Sequence, residues 1–513
     1  MLISYFPAFI SGLLLTLSFP RPGLSFLAFV ALVPWLVSLS RLSLKQSFFS
    51  GLTAGLSHFI TLIYWIIPTL HIYGGLHPLL AGSTLILLCF YLALYPALFA
   101  FILKKLKPGD FFTPLLGACL WTGLEYIRTY AFTGFSWGSL GYSQYSNLSF
   151  IQVADLSGVY GVSFLIVLIN YGIADLYRFL KSENKEKRPF LSMLLTAILV
   201  LSGLLYGHLR LSAIEALMVS APKPAIAVVQ GNVEQDLKWT EAFKNETVQK
   251  YLRLSKSTLK DDPELIIWPE TALPFYYGHE RELSNLVDQS VRESKTQYLI
   301  GSPAFAASEK ETLYYNRAYM LNRFSIVTAT YDKTHLVPFG EYVPFGEYLT
   351  FLGKITAQAG NFSTGDKAFV PLGFKEHKTG VLICFEILFP RIASKFVKNG
   401  ADFLTTVTND AWFGRTSAPM QHFSMAVFRA VENRRSVARA ANTGISGFID
   451  PRGKILETTP LFTDRAITRQ MPALTLISGY TRYGDIFAFG AMVAFCLGFM
   501  VKGVKTQLRR NEK

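Results

Sequence analysis

The pattern of hydrophobic and polar positions divides the chain into two regions. In the first 208 residues, apolar runs follow one another with only short polar loops between them. A helix needs about 20 predominantly apolar residues to cross a bilayer, so these runs predict membrane spans. The predicted spans are 4–20, 24–40, 47–67, 79–102, 112–129, 161–180 and 190–208, with one more at 484–502. We therefore expect a helical membrane domain with about eight spans.

From Ala225 onward, short apolar runs alternate with amphipathic segments. Such runs predict strands, and strands separated by helices predict an α/β domain. Strands are predicted at 225–230, 265–269, 298–302, 318–322, 380–385, 403–409 and 446–450, and helices at 240–259, 280–295, 389–399 and 419–440. The predicted domains are a membrane domain at 1–208 with seven spans, an α/β domain at 209–483, and a final span with a basic tail at 484–513.

Basic residues lie in alternate loops of the predicted membrane domain. The basic clusters are Arg41 and Lys45; Lys104, Lys105 and Lys107; Arg178, Lys181, Lys185, Lys187 and Arg188; and Lys502, Lys505, Arg509, Arg510 and Lys513. Loops rich in Lys and Arg face the cytoplasm. We therefore expect both termini in the cytoplasm and residues 209–483 on the outer side. No basic residue precedes the first apolar run, so a cleaved secretory signal is not predicted.

The composition agrees with a membrane protein that carries an attached α/β domain. The 513 residues are 51% hydrophobic and 16% charged, against roughly 25% charged in soluble domains. The formal net charge is +14, but residues 209–483 hold 32 Lys and Arg against 27 Asp and Glu. Most of the excess therefore follows the membrane topology. No Arg and aromatic pattern suggests a nucleic-acid partner.

One of the four cysteines differs from the others in its position. Cys89, Cys119 and Cys496 lie in predicted spans, whereas Cys384 is alone in the predicted outer domain, within the strand-like run GVLICFEILFP. Free cysteines are often small core hydrophobes. A single thiol in an oxidising compartment also deserves a functional interpretation, because it has no disulfide partner there. Both interpretations of Cys384 stay open at this point.

Three polar residues end or interrupt predicted strands: Glu270, Lys333 and Cys384. A thiol is a good nucleophile once deprotonated, and a desolvated carboxylate can accept its proton. A lysine ammonium can stabilise the oxyanion of a tetrahedral intermediate. Together they would form an acyl-transfer site. Glu270 could instead be a solvated turn residue, and Lys333 could form a surface ion pair with Asp332. No metal-binding spacing is present, and we expect neither a metal nor a cofactor.

Several separated motifs carry a resemblance to a known family. WPETALP, DKTHLVPFGEYVP, GVLICFE, TNDAWFG and RAVENRRSVARAANTGISGFIDPRG resemble the nitrilase superfamily, in the order Glu, Lys, Cys. Together with the predicted spans, QGNVEQDLKW and GFSWGSLGYSQ resemble the apolipoprotein N-acyltransferase family of the bacterial inner membrane. The resemblance covers nearly the whole chain.

The resemblance implies an extracytoplasmic αββα sandwich with a catalytic triad of Glu270, Lys333 and Cys384. It implies transfer of an acyl chain from a phospholipid donor to the α-amino group of the N-terminal diacylglyceryl-cysteine of an apolipoprotein, by a ping-pong mechanism through a thioester. The family's further functional residues match Glu341, Glu386, Trp239 and Trp412 in this chain; the tryptophans are linked to substrate binding or loop movement.

The resemblance also implies a periplasmic catalytic domain, and we favour a monomer. Ser136 stands where proline is expected and Phe385 where some members have tyrosine. The long loop 340–368, with Phe345, Tyr348 and Phe351, is a candidate lipid gate. Two other functions stay open: a membrane-tethered amidase or nitrilase that hydrolyses C–N bonds, and a transporter or scaffold whose outer domain only binds.

Overall fold

The structure, a computed structural model, describes residues 2–106, 112–181, 190–234, 241–308, 311–342 and 362–511. The chain forms two compact units. The first comprises Met1–Tyr64, Gly82–Leu211 and Tyr483–Lys513, and the second comprises Trp65–Ala81 and Ser212–Arg482.

The helices of the described residues are α1 (Leu2–Leu17), α2 (Val33–Leu39), α3 (Leu44–Leu62), α4 (Ile66–Pro68), α5 (Pro78–Lys105), α6 (Thr113–Tyr130), α7 (Leu148–Ile151), α8 (Ala154–Lys181), α9 (Phe190–Ser220), α10 (Glu241–Thr258), α11 (Arg281–Ser294), α12 (Pro390–Lys398), α13 (Ala418–Asn433), α14 (Gly479–Tyr483) and α15 (Ile486–Asn511). Short 3₁₀ helices span Ser25–Phe29, Leu140–Gln144, Leu259–Asp261, Cys384–Leu388 and Asp410–Phe413, and a π-helix spans Thr69–Tyr73.

The first unit is helical, and helices occupy the segments in which spans are predicted. Among the described residues, α5, α8 and α9 are long and apolar enough to cross a membrane. Helix α3 and the segment Ile66–Tyr73 form a fourth candidate that is bent by 57°. Shorter apolar helices cover Ile3–Leu17, Ser25–Leu39 and Ile486–Lys502. The structure thus supports three or four spans by length and composition, and the count of eight stays a prediction.

The predicted span 24–40 is broken into the 3₁₀ helix Ser25–Phe29 and α2. Asn170 on α8 satisfies backbone groups at this break: its Oδ1 accepts from the Leu32 N–H at 2.8 Å, and its Nδ2 donates to the Ala28 carbonyl at 2.8 Å. An apolar interior provides no water for such groups, so an interrupted helix needs a side chain of this kind.

The second unit contains two six-stranded sheets. The strands are β1 (Ala225–Gln230), β2 (Leu265–Ile267), β3 (Gln297–Ala307), β4 (Thr312–Leu321), β5 (Val327–Asp332), β6 (Leu372–Phe374), β7 (His377–Ile383), β8 (Phe403–Thr408), β9 (Ser436–Ala441), β10 (Gly447–Ile449), β11 (Ile455–Thr458) and β12 (Arg465–Gln470). Their orders are β12-β1-β2-β3-β4-β5 and β11-β10-β9-β8-β7-β6. Each sheet has three central parallel strands, β1 to β3 in one and β7 to β9 in the other, with antiparallel strands outside them.

Helices cover the outer faces of both sheets. Helices α10 and α11 bury Tyr251 and Val287 against Trp268 in one apolar core, and α12 and α13 contact β7 and β9 of the other sheet. Between the sheets, the Gln230 side-chain oxygen accepts from the hydroxyl of Ser446 at 2.7 Å. The layers are helix, sheet, sheet and helix, which is the sandwich that the family resemblance implies.

The predicted helix 419–440 is wrong in its last third. Helix α13 ends at Asn433, Arg434 adopts a left-handed conformation with φ 53°, and β9 begins at Ser436. The run VARAA has strong intrinsic helix formers, but parallel pairing with β8 overrides that preference. The composition of this segment therefore does not indicate that it forms a central strand.

A segment predicted as part of the membrane domain belongs to the second unit. This segment, residues 65–81, is called the strap below. Trp65 Nε1 donates to the Gln421 side-chain oxygen at 3.3 Å, and the Thr69 hydroxyl donates to the Trp412 carbonyl at 2.8 Å. The strap thus lies against the turn that follows β8 and against α13.

Candidate active site

Three strand ends position the predicted triad. Lys333 directly follows β5, Cys384 directly follows β7, and Glu270 lies in the short turn after β2. Glu270 and Lys333 are buried, with 6% and 1% of their surface exposed, and Cys384 is half-buried. The positions at strand ends agree with the sequence prediction, and the interpretation of Glu270 and Lys333 as solvated surface residues is wrong.

Three groups hold the carboxylate of Glu270. Its Oε1 accepts from Asn316 Nδ2 at 2.7 Å and lies 3.3 Å from Lys333 Nζ. Its Oε2 accepts from the backbone N–H of Asn409 at 2.9 Å. Both oxygens are therefore fixed by donors from different strands, as a positioned general base requires.

Lys333 lies between two carboxylates. Its Nζ donates to Glu341 Oε1 at 2.9 Å and to Glu270 Oε1 at 3.3 Å. Desolvation opposes the charge of this buried amine, but Glu341, Glu270 and Cys384 together raise its pKa above the usual value. The group is therefore an ammonium at neutral pH, which is the form that can stabilise an oxyanion. Asp332 pairs instead with Arg317, at 2.6 Å.

The backbone of Cys384 is strained. Its φ is 52°, in the left-handed region that residues with a Cβ rarely adopt. The residue starts the 3₁₀ helix Cys384–Leu388 immediately after β7. A sharp strand-to-helix turn of this kind projects a nucleophile from the end of a sheet.

Desolvation and the charge of Glu270 raise the pKa of the Cys384 thiol, whereas Lys333 acts in the opposite direction. The thiol is therefore coupled electrostatically to both Glu270 and Lys333. Since the pKa is raised, the resting form is the thiol. A nucleophilic role therefore requires a base that removes the proton during the reaction.

Glu341 connects the amine to the segment that follows it. Its Oε1 accepts from Lys333 Nζ and, at 3.2 Å, from Asn316 Nδ2, while its Oε2 accepts from the Val337 N–H at 2.8 Å. Asn316 thereby bridges Glu270 and Glu341. The cluster is one hydrogen-bonded network around the ammonium.

Glu386 is fully buried, and the donors to its carboxylate are hydroxyls and backbone N–H groups. It accepts hydrogen bonds from the Tyr331 hydroxyl at 2.8 Å, the Thr334 N–H at 2.7 Å, the Thr334 hydroxyl at 2.9 Å, the His335 N–H at 3.1 Å and the Ile383 N–H at 2.8 Å. Burial raises the pKa of its carboxyl, and these donors oppose that change. Its partners are neighbours of Lys333 and of Cys384. Glu386 therefore ties the strand end that carries the amine to the one that carries the thiol.

Two family models match the chain. Residues 11–172 match the apolipoprotein N-acyltransferase N-terminal domain, and residues 225–477 match carbon-nitrogen hydrolase. An apolipoprotein N-acyltransferase of Geobacter metallireducens is 41% identical over 508 residues, which cover 98% of this chain and 96% of that protein. One of Pasteurella multocida is 30% identical, with 99% and 97% covered. The chain belongs to the apolipoprotein N-acyltransferase family.

Among solved structures, a mutant of an amidase from Nesterenkonia sp. AN1 aligns with a TM-score of 0.38 and 16% identity, covering 51% of this chain and 97% of that one.

Of the two tryptophans that the family resemblance indicates, Trp412 lies next to the strap. It belongs to the 3₁₀ helix Asp410–Phe413, and its ring centroid is 5.9 Å from that of Tyr73. Trp239 lies outside the described residues, as do Phe345, Tyr348 and Phe351 of the candidate gate. Their proposed roles stay predictions.

At Ser136 and Phe385, the two positions where the resemblance suggests a different residue, apolar or backbone contacts are present. The ring centroid of Phe385 lies 5.4 Å from that of Phe389 and 5.8 Å from that of His335. The Ser136 carbonyl accepts from the Ser139 hydroxyl at 2.9 Å.

Sequence reasoning missed Asn316 and Asn409 as partners of Glu270. Asn316 lies within β4, where an asparagine inside a strand rich in apolar and aromatic residues is the available signal. Asn409 and its neighbours Asp410 and His422 lie in or near the TNDAWFG motif. Among the described residues, no group of His, Cys, Asp and Glu could hold a metal ion.

Proposed function

We propose that this chain transfers an acyl chain from a phospholipid to the α-amino group of the N-terminal diacylglyceryl-cysteine of apolipoproteins. The observation that carries the proposal is the Lys333 ammonium held against Glu270 beside the Cys384 thiol. The near-full-length relatives named apolipoprotein N-acyltransferase support the choice of substrates.

The first half-reaction starts with the thiol. Glu270 accepts the Cys384 proton as the sulfur attacks the carbonyl carbon of a phospholipid ester. The Lys333 ammonium stabilises the oxyanion that forms on the carbonyl oxygen. When this intermediate collapses, the C–O bond breaks, and the lysophospholipid alkoxide takes the proton from Glu270. Cys384 then carries the acyl chain as a thioester.

In the second half-reaction, the α-amino group of the apolipoprotein attacks the thioester carbon. Glu270 accepts a proton from the amine, and the C–S bond breaks when the second tetrahedral intermediate collapses. The sulfur leaves as a thiolate and regains the proton from Glu270. The products are an N-acylated lipoprotein and the free thiol, so the enzyme returns to its initial state.

The proposed donor is a membrane lipid, so this chemistry requires access to the bilayer. Exposing an acyl chain to water costs about 0.8 kcal/mol per CH₂, so a donor held in a bilayer favours a site that lipid tails can reach. We propose eight spans in the bacterial inner membrane, with both termini in the cytoplasm and the catalytic domain in the periplasm. The alternating basic loops and the long apolar helices α5, α8 and α9 support this arrangement.

Mass spectrometry of the purified full-length protein tests the proposal. After incubation with a phospholipid that carries a labelled acyl chain, the peptide containing Cys384 should gain the mass of that chain, and hydroxylamine should remove it. Addition of a diacylated lipopeptide should move the label to the peptide amine. Release of labelled fatty acid with no triacylated peptide would instead favour a hydrolase, and full transfer by a Cys384→Ala variant would contradict the thioester.

A further inference from the structure

A second buried cluster lies behind the nucleophile. His422 on α13 is 1% exposed, and its Nε2 lies 3.2 Å from the carbonyl oxygen of Cys384. Its Nδ1 lies 3.0 Å from Asp410 Oδ1 and 2.9 Å from Arg439 Nη2. Arg439 Nη2 also donates to Asp410 Oδ2 at 2.8 Å. None of these three side chains is used in the reaction steps above.

The hydrogen-bond partners determine where the proton of the ring lies. A carbonyl oxygen only accepts, so His422 Nε2 must carry a hydrogen to bond Cys384. Burial and the charge of Arg439 lower the pKa of His422, while Asp410 opposes this change, so the neutral Nε2–H form is favoured. In that form Nδ1 accepts from Arg439, and in the imidazolium form it would donate to Asp410. Both forms keep the Nε2–H donor directed at Cys384.

The hydrogen bond from His422 is made to Cys384, the residue whose backbone is strained. The left-handed conformation of Cys384 is unfavourable for an L-residue with a Cβ, so the surroundings must hold it. Glu386 fixes the backbone N–H of the preceding residue, Ile383, at 2.8 Å. The bond from His422 fixes the carbonyl on the other side of the Cα. Buried side chains thus bond the backbone on both sides of the Cys384 Cα: Glu386 on the N-terminal side and His422 on the C-terminal side.

We propose that His422 is a positioning residue, oriented by Asp410 and Arg439, that holds the Cys384 backbone in the conformation from which its sulfur attacks. This inference rests on the proposed function, because it assumes that Cys384 is the nucleophile. Asp410 is itself fixed, since it accepts from the Thr408 hydroxyl at 2.9 Å, and its pKa is held below the usual range by Arg439 and His422 against the effect of burial. The cluster is therefore pre-organised before substrate binds.

Two variants, His422→Gln and His422→Asn, distinguish a positioning role of His422 from a general structural role. In His422→Gln, the side-chain amide nitrogen can take the place of Nε2, whereas the shorter side chain of His422→Asn cannot reach the Cys384 carbonyl. We expect His422→Gln to form the acyl-Cys384 thioester within about fivefold of the wild-type single-turnover rate. His422→Asn should be slower by roughly 30-fold to 100-fold at saturating phospholipid, with KM nearly unchanged, because a misplaced reacting atom lowers the rate of chemistry.

The outcomes separate the two proposals. A wild-type protein that never forms the thioester would refute the proposed function, whatever the variants do. A wild type that forms it, with His422→Asn equally fast or with His422→Gln as slow as His422→Asn, would overturn the positioning role.

A measurement on the wild-type ring complements the rates of the variants, because it reports directly which nitrogen carries the proton. Long-range ¹H–¹⁵N NMR of histidine-labelled protein, with the His422 signal assigned by its loss in His422→Gln, should find Nε2 protonated. A neutral ring protonated at Nδ1 alone would also overturn the inference.

Discussion

The two sheets contribute to the candidate active site in different ways. The first sheet supplies the acid–amine side, which consists of Glu270, Asn316, Lys333 and Glu341, and these groups hold one another by direct charged contacts. The second sheet supplies the thiol side, where buried side chains hold the backbone around Cys384. Charge on one side is held by opposite charge, and on the other side the proposed nucleophile is held through its main chain. Substitutions on the two sides should therefore impair activity and stability in different ways.

The largest effect is expected from Cys384→Ala, because it removes the atom that is proposed to carry the acyl chain. Loss of a nucleophile that acts in a catalytic unit lowers turnover by at least about 10³-fold. Quantitative mass spectrometry of the triacylated lipopeptide measures it. Cys89→Ala, at a buried cysteine of the first unit, is the matched control and should retain transfer. Equal loss in both variants would indicate a general effect of cysteine removal.

Glu270→Gln tests the acid–amine side. The amide keeps the size of the side chain but cannot accept the thiol proton, and removing a general base costs about 10²-fold to 10⁴-fold. Single-turnover acylation of Cys384 is the measurement. Glu264→Gln, at the other end of β2, is the control; Glu264 is only partly buried and pairs with Lys375 at 3.4 Å. If Glu270→Gln acylated at the wild-type rate, another group would be the base.

Glu386→Gln should lower stability as well as activity. The amide presents an NH₂ group to donors that now bond a carboxylate, and an unsatisfied buried donor costs about 1–3 kcal/mol. We expect a lower thermal midpoint and a roughly 10-fold to 100-fold slower acylation, since both strand ends are released. Glu376→Gln, at the exposed turn between β6 and β7, should change neither. A fully stable but inactive Glu386→Gln would instead indicate a direct role in the chemistry.

The smallest predicted effect concerns the pKa of the Cys384 thiol, which two variants should change in opposite directions. The charge of Glu270 raises the Cys384 pKa and that of Lys333 lowers it. Glu270→Gln should therefore lower this pKa, and Lys333→Met should raise it. At a fixed pH below the pKa, alkylation of Cys384 by iodoacetamide should be faster in the first variant and slower in the second, each by roughly threefold to tenfold. Peptide mass spectrometry over a pH series measures both, and shifts in the same direction would contradict the assigned electrostatics.

Much of this arrangement can be predicted from sequence, for identifiable reasons. Strand β1 was predicted with its observed bounds, because AIAVVQ is a short buried β-branched run next to a proline. Glu270, Lys333 and Cys384 could be found because polar groups at the ends of apolar strands are costly unless they are used. Glu341 and Glu386 came from the resemblance alone.

The remaining features depend on contacts that no local pattern contains. Strand β9 is helix-like in composition and is defined only by pairing with β8. The contact of His422 with the Cys384 carbonyl joins residues 38 positions apart in the chain. Helical periodicity places His422 on α13, but it does not say which backbone oxygen lies next to it.

The strap has a consequence for how this protein can be divided. It comes from the part of the chain before residue 82, yet it belongs to the same compact unit as Cys384. A gene fragment starting at Ser212 would lack the strap. The turn at Trp412 and the first turn of α13 at Gln421 would then lose their contacts with it. The catalytic unit is therefore discontinuous in sequence, and grafting it onto another membrane anchor would require the strap to be transplanted as a separate piece.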